Sequence, residues 1–102
     1  MNFNDYVKNT FSECQMILNK KSADYSSKDD ILSCFKDASS IAGIKTHQSI
    51  LNMIGIKLSR LKELLNNDKN PNFESIDDNV KDLINYCAFL GYSVNDKENN
   101  TR

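Results

Sequence analysis

The chain reads as all-α, a compact bundle of about four helices, and three observations lead there. Apolar residues recur at helical spacing through most of the length. Only 3 glycines and 1 proline interrupt 102 residues, and no stretch forms a convincing strand. With 39% hydrophobic content the chain is long enough for one domain and too short for two. That domain is expected over residues 1–94, with a polar tail over 95–102 that is predicted to be disordered.

The first helix is predicted from about Asn4 to Lys21, because Phe3, Val7, Phe11, Cys14 and Leu18 recur at spacings of four, four, three and four. Asp24-Tyr25-Ser26-Ser27 then reads as a loop. Ser27 or Lys28 opens a short second helix with Asp29 and Asp30 in its first turn, where the helix dipole favours acids. Ile31, Leu32, Phe35 and Ala38 face inward on it, and Gly43 ends it. Thr46 caps a third helix running to about Asn66, with a stripe of Ile50, Leu51, Ile54, Leu58, Leu61 and Leu65. The polar run from Asn66 to Asn72 is a loop. Ser75 with Asp78 resembles a capping box, so the fourth helix is predicted to begin at Ile76 and to stop at Gly91.

On that fourth helix Glu74, Asp78, Asp82 and Asn85 form one row, nearly opposite an apolar stripe of Ile76, Val80, Leu83, Ile84, Cys87 and Leu90. The acids are therefore expected to face away from the main core. Carboxylates at i, i+4 and i+8 repel one another in an isolated helix, so the row calls for a cation, a basic partner or full solvation. Tyr86 and Phe89 lie on or beside it. Two rings there point to a second contact surface, either a ligand pocket or a subunit interface, and self-association as a dimer is expected through this aromatic edge.

Lys57 and Arg60 sit at the margin of the third helix's stripe. Their stems either lie along apolar surface with the charges in water, or the charges meet the carboxylates of the fourth helix or a ligand phosphate. Glu74, Asp78 and Asp82 are the candidate metal ligands, with Glu13 and Asp24 as further oxygen donors for Mg2+, a hard cation that prefers oxygen. His47 reads as a packed or capping residue. Phosphate-cradling glycine motifs, a GxSxG elbow and an HExxH pair are absent from the sequence.

A net charge of −1, from 13 basic and 14 acidic residues, supplies no field for direct DNA binding by a basic surface or for an anionic membrane. No apolar run approaches the roughly 20 residues that cross a bilayer, and the N-terminus lacks the order of a secretion signal. A cytoplasmic location is expected. Cys14, Cys34 and Cys87 are widely spaced and each falls in an apolar pattern, so they read as buried free thiols.

Lys21, Asp24-Tyr25, Phe35, Lys57-Leu58-Ser59-Arg60-Leu61, Glu74-Ser75, Asp78, Asp82, Asn85 and Tyr86 together resemble the nucleotide modification associated domain family, small helical domains common in phages. The resemblance covers about residues 10 to 92, and ES-x-x-D-x-x-x-D-x-x-N-Y is its most specific part. Ser26 stands where the family has glycine after Asp-Tyr.

The resemblance implies a nucleotide-related role, with Asp24, Tyr25, Lys57, Arg60, Glu74, Asp78, Asp82, Asn85 and Tyr86 as ligand-binding candidates. Two main classes compete. One is a protein that binds a nucleotide or nucleotide-derived signal, a phage product sequestering a host defence messenger in the host cytoplasm. The other is a magnesium-dependent nucleotide pyrophosphohydrolase, although the doubled ExxE motif of such enzymes is missing. A protein-interaction or inhibitor module is a third.

Overall fold

The computed structural model describes residues 1–25, 30–66 and 73–95, with the side chains of 21–25 and 73–74 outside that description. Among these residues there are four helices: α1 (Phe3–Tyr25), α2 (Ser33–Ala42), α3 (Thr46–Leu65) and α4 (Phe73–Asn95). No strand occurs among the described residues. The all-α bundle expected from the sequence is the fold. None of the described helices is long and apolar enough to cross a membrane.

The ends differ from the expectation in ways that local chemistry explains. Helix α1 continues through Asp24 and Tyr25, so these two lie in its last turn and not in a loop; no glycine or proline interrupts Asn19 to Tyr25. Helix α2 starts at Ser33, which leaves Asp30 in front of it. There the Leu32 N–H donates to Asp30 Oδ1 at 2.9 Å, a turn that an aspartate side chain builds more readily than helix. The expected start at Ser27 or Lys28, with Asp29, lies outside the described residues. Gly43 ends α2 at φ 73°, and the Ile44 N–H returns to Ser39 O at 2.9 Å. This is the left-handed stop for which glycine is suited.

Thr46 is the first residue of α3, not its cap. The cap is Lys45, whose N–H donates to Gln48 Oε1 at 2.9 Å. The polar run after Asn66 also lies outside the described residues, as does the expected tail over 95–102 except for Asn95, which is the last residue of α4 and not part of a disordered tail. Helix α4 begins at Phe73, which places Ser75 inside the helix, where its carbonyl accepts from Asn79 Nδ2 at 2.7 Å. It also passes Gly91 without stopping. Fully buried Ser93 donates to Leu90 O at 2.9 Å, and Asn95 Nδ2 donates to Gly91 O at 2.7 Å, so packing and side-chain bonds carry the last turn across the glycine.

Helix α3 packs on α4, α2 on α3, and α1 on α4. Leu32, Ile50 and Ile54 form the buried centre, with Ile31, Phe35, Leu83, Tyr86, Phe89 and Leu90 packed around it. The faces are rotated from those expected. On α3, Ile50 and Ile54 are buried and Met53, Lys57, Leu61 and Leu64 are half-buried, while Leu51, Leu58 and Leu65 are exposed. Among the described residues of α4 the buried positions are polar, namely Asn79, Asn85 and Ser93, and Cys87 is exposed. Phe3 and Phe11 of the expected α1 stripe are exposed as well, while Thr10 and Cys14, one turn apart, are buried. Ala38, expected inside, is also exposed.

Candidate functional site

Rotation of α4 brings part of the acidic row inward, against the expectation that it faces away from the core. Asp82, Asn85, Tyr86 and Phe89 fall on neighbouring parts of one helical face. Together with Cys34 and Phe35 of α2 and Ser49, Asn52 and Met53 of α3 they line a cavity of about 600 Å³. One wall is a cluster of three rings. Phe35 meets Tyr86 edge to face with centroids 6.0 Å apart and an interplanar angle of 80°, and meets Phe89 at 5.4 Å. Tyr86 and Phe89 close the triangle at 6.1 Å. The aromatic edge expected to carry self-association is thus taken up inside the chain.

The polar side of the cavity is held from two directions. Lys57 Nζ lies 3.0 Å from Asp82 Oδ2, and both side chains are largely buried, at 17% and 22% exposure. This is the pairing that the position of Lys57 beside the apolar stripe left open. It means the Lys57 charge is already matched. Asn85 is buried and donates through Nδ2 to the Cys14 carbonyl at 3.3 Å, so α1 fixes the amide that borders the cavity.

The nine ligand-binding candidates separate clearly. Asp82, Asn85 and Tyr86 line the cavity, and Lys57 reaches it through Asp82. Asp78 and Arg60 are exposed and do not line it. The side chains of Asp24, Tyr25 and Glu74 lie outside the described residues, and with Glu74 so does part of the candidate metal set. Among the described residues no group of three or more His, Cys, Asp or Glu side chains could hold a metal ion. Glu13 is drawn away to Lys81.

Besides apolar residues, three cavity residues with polar or thiol side chains were not singled out for the site by sequence: Cys34, Ser49 and Asn52. A polar pair three residues apart beside the Ile50–Met53 ridge was the available signal for the latter two. Phe35 was assigned to the core, and it serves both. None of the three cysteines is in a disulfide, yet only Cys14 is buried; Cys34 and Cys87 are exposed, contrary to their apolar setting in sequence. Burial pushes the Cys14 thiol above its ordinary pKa, outweighing the nearby Lys81 charge. Behind the site Lys81 bridges Asp77 at 2.7 Å and Glu13 of α1, and hydrogen bonds to Asp77 and then Glu13 hold its ammonium well above the usual lysine range.

A family model described as nucleotide modification associated domain 1 matches residues 21–90. Among the described residues, that span contains every cavity-lining residue except Leu18. Comparisons with curated proteins and with solved structures give no match.

Proposed function

Because the chain belongs to the nucleotide modification associated domain 1 family, we propose that it binds a nucleotide or a nucleotide-derived small molecule with the base seated in the α2–α3–α4 cavity. One observation carries this reading: three aromatic rings share a cavity of about 600 Å³ with a carboxylate and two amides, those of Asp82, Asn85 and Asn52. Aromatic faces stack on bases of any sequence, and amide or carboxylate groups bond to base edges. The volume falls within the roughly 300–1,000 Å³ usual for small-molecule sites.

Among the described residues the lining contains no Lys, Arg or His. An apolar wall and a carboxylate suit a base or ribose and not a phosphate, which calls for basic side chains or backbone N–H groups. The phosphate end therefore belongs outside. Exposed Arg60 stands seven residues beyond Met53 on α3, a rise of about 10 Å, and two helical turns bring it back to the same side. In this reading Lys57 orients Asp82 instead of holding phosphate.

The experiment is thermal unfolding and calorimetric titration with nucleosides, nucleotides and cyclic dinucleotides, with and without Mg2+. A rise in melting temperature with ligand recovered intact is expected, and slower alkylation of Cys34 but not Cys87 in its presence. Arg60→Ala should weaken phosphorylated ligands while leaving nucleosides unchanged. Turnover of the ligand would move the protein to the pyrophosphohydrolase class. No shift with any member of the panel overturns the reading.

A further inference from the structure

The outward face of α3 takes no part in the buried core, and of the residues along it only Ile44 and Asn52 also border the cavity. Leu51, Leu58 and Leu65 follow one another at intervals of seven and are 54%, 52% and 62% exposed. Ile44, just before the helix and 43% exposed, continues the same interval. Seven residues are nearly two turns, so these side chains make one line along the helix. Gly55 lies beside that line in mid-helix, and a Cβ built on it meets nothing within 4 Å. The fold of one chain does not need glycine there, and glycine is among the poorest helix formers. A shallow groove of about 530 Å³ surrounds it, lined by Gln48, Leu51, Asn52, Gly55, Ile56 and Ser59.

We propose that this face docks a second copy of the chain, α3 against α3, antiparallel and with the two-fold axis near Gly55. The groove and the ridge that fills it lie on the same helix, which is the condition for an isologous contact. A two-fold axis at Gly55 pairs positions whose numbers sum to about 110, so Leu58 of one copy enters the groove bordered by Leu51 and Asn52 of the other. Gly55 faces Gly55, where the missing side chains let two backbones approach. The same operation sets exposed Glu63 beside exposed Lys45 at each end, which gives two opposite-charge contacts. Stable interfaces bury about 800 Å² per partner, and a 20-residue helix about 30 Å long reaches that scale only through a contact along its whole length. The leucine line spans that length.

This inference is independent of the ligand and is tested without one. Sedimentation velocity across the micromolar range should show a dimer for the wild type. Leu51→Glu with Leu58→Glu should give a monomer with unchanged helical circular dichroism. Gly55→Leu, for which a single chain has room, should raise the dissociation constant at least about tenfold, equivalent to about 1.4 kcal/mol. Phe89→Ala, on the cavity side, should leave association unchanged. A wild type that stays monomeric at the highest concentration overturns the proposal, as does a dimer that survives both the paired glutamates and Gly55→Leu.

Discussion

The two sides of α4 are held by opposite chemistries. Toward α2 and α3 it buries Leu83 and Leu90 against Leu32, Ile50 and Ile54. Toward α1 the described residues make polar contacts: Asn85 with the Cys14 carbonyl, the Lys81 carbonyl with the Cys14 thiol at 3.8 Å, and the Lys81 ammonium with Glu13. Apolar packing is non-directional and scales with area, whereas hydrogen bonds and ion pairs fix a register and typically contribute about 1 kcal/mol each. The first side therefore sets how stable the protein is. The second sets where α1 sits, and α1 still exposes Phe3, Phe11 and Met16.

The contrast is broken most directly by cutting into the apolar side. Ile50→Ala or Leu32→Ala, both at 0% exposure, should cost about 2–5 kcal/mol in urea unfolding. Leu58→Ala, measured at dilution so that association does not contribute, should cost less than about 1 kcal/mol. Equal losses for Leu58 and Ile50 would mean that the face of α3 is misassigned.

Next in size is the pair at the cavity. Asp82→Asn leaves the Lys57 ammonium largely buried without its carboxylate and should cost about 1–3 kcal/mol. Replacing both partners, Lys57→Met with Asp82→Leu, should recover most of that stability while abolishing ligand binding. A double variant as unstable as the single one would show that the pair is not the source of the loss.

A smaller effect sharpens the polar side. Lys81→Met removes the link to Glu13 and should cost about 1 kcal/mol or less, because half-exposed Glu13 is well screened by water. Hydrogen exchange should then accelerate in α1 and not in α3, and added salt should mimic the change in the wild type. The pH dependence has a definite sign. The ammonium is held above its ordinary pKa by Asp77 and Glu13, so its contribution is full below the unfolded value of about 10.4 and fades as pH rises beyond it. Release of α1 between neutral pH and about pH 9 would contradict this.

The smallest effect concerns the entrance of α2. Burial alone would raise the pKa of Asp30, but the Lys36 side chain and the Leu32 N–H outweigh it and the carboxyl titrates below its ordinary value. Its contribution is present above the unfolded value of about 3.9 and is lost as pH falls through the lower folded one. Asp30→Asn, monitored by thermal melts at pH 7 and at pH 3, should cost a few tenths of a kcal/mol at pH 7 and almost nothing at pH 3.

By itself the sequence determined the class and the count: scarce breakers and periods of three and four leave four helices, and the ES-x-x-D-x-x-x-D-x-x-N-Y pattern points to the family that the chain belongs to. It also placed Asp82, Asn85 and Tyr86 near one another, because one helix repeats every 3.6 residues wherever it is docked. Periodicity supplies the spacing of a stripe but not its absolute direction once two adjacent stripes are both plausible. On α3 the lines through Leu51 and Ile50 are one residue apart, and on α4 the polar Asn79 and Ser93 compete with the apolar Cys87. Only the tertiary structure decided these, since burial depends on which neighbours supply hydrogen-bond partners. The Cys14 carbonyl allows Asn85 to be buried, and Asp82 does the same for the Lys57 ammonium. The cavity exists for the same reason: its walls come from separate helices, and no spacing along one helix encodes where another will dock.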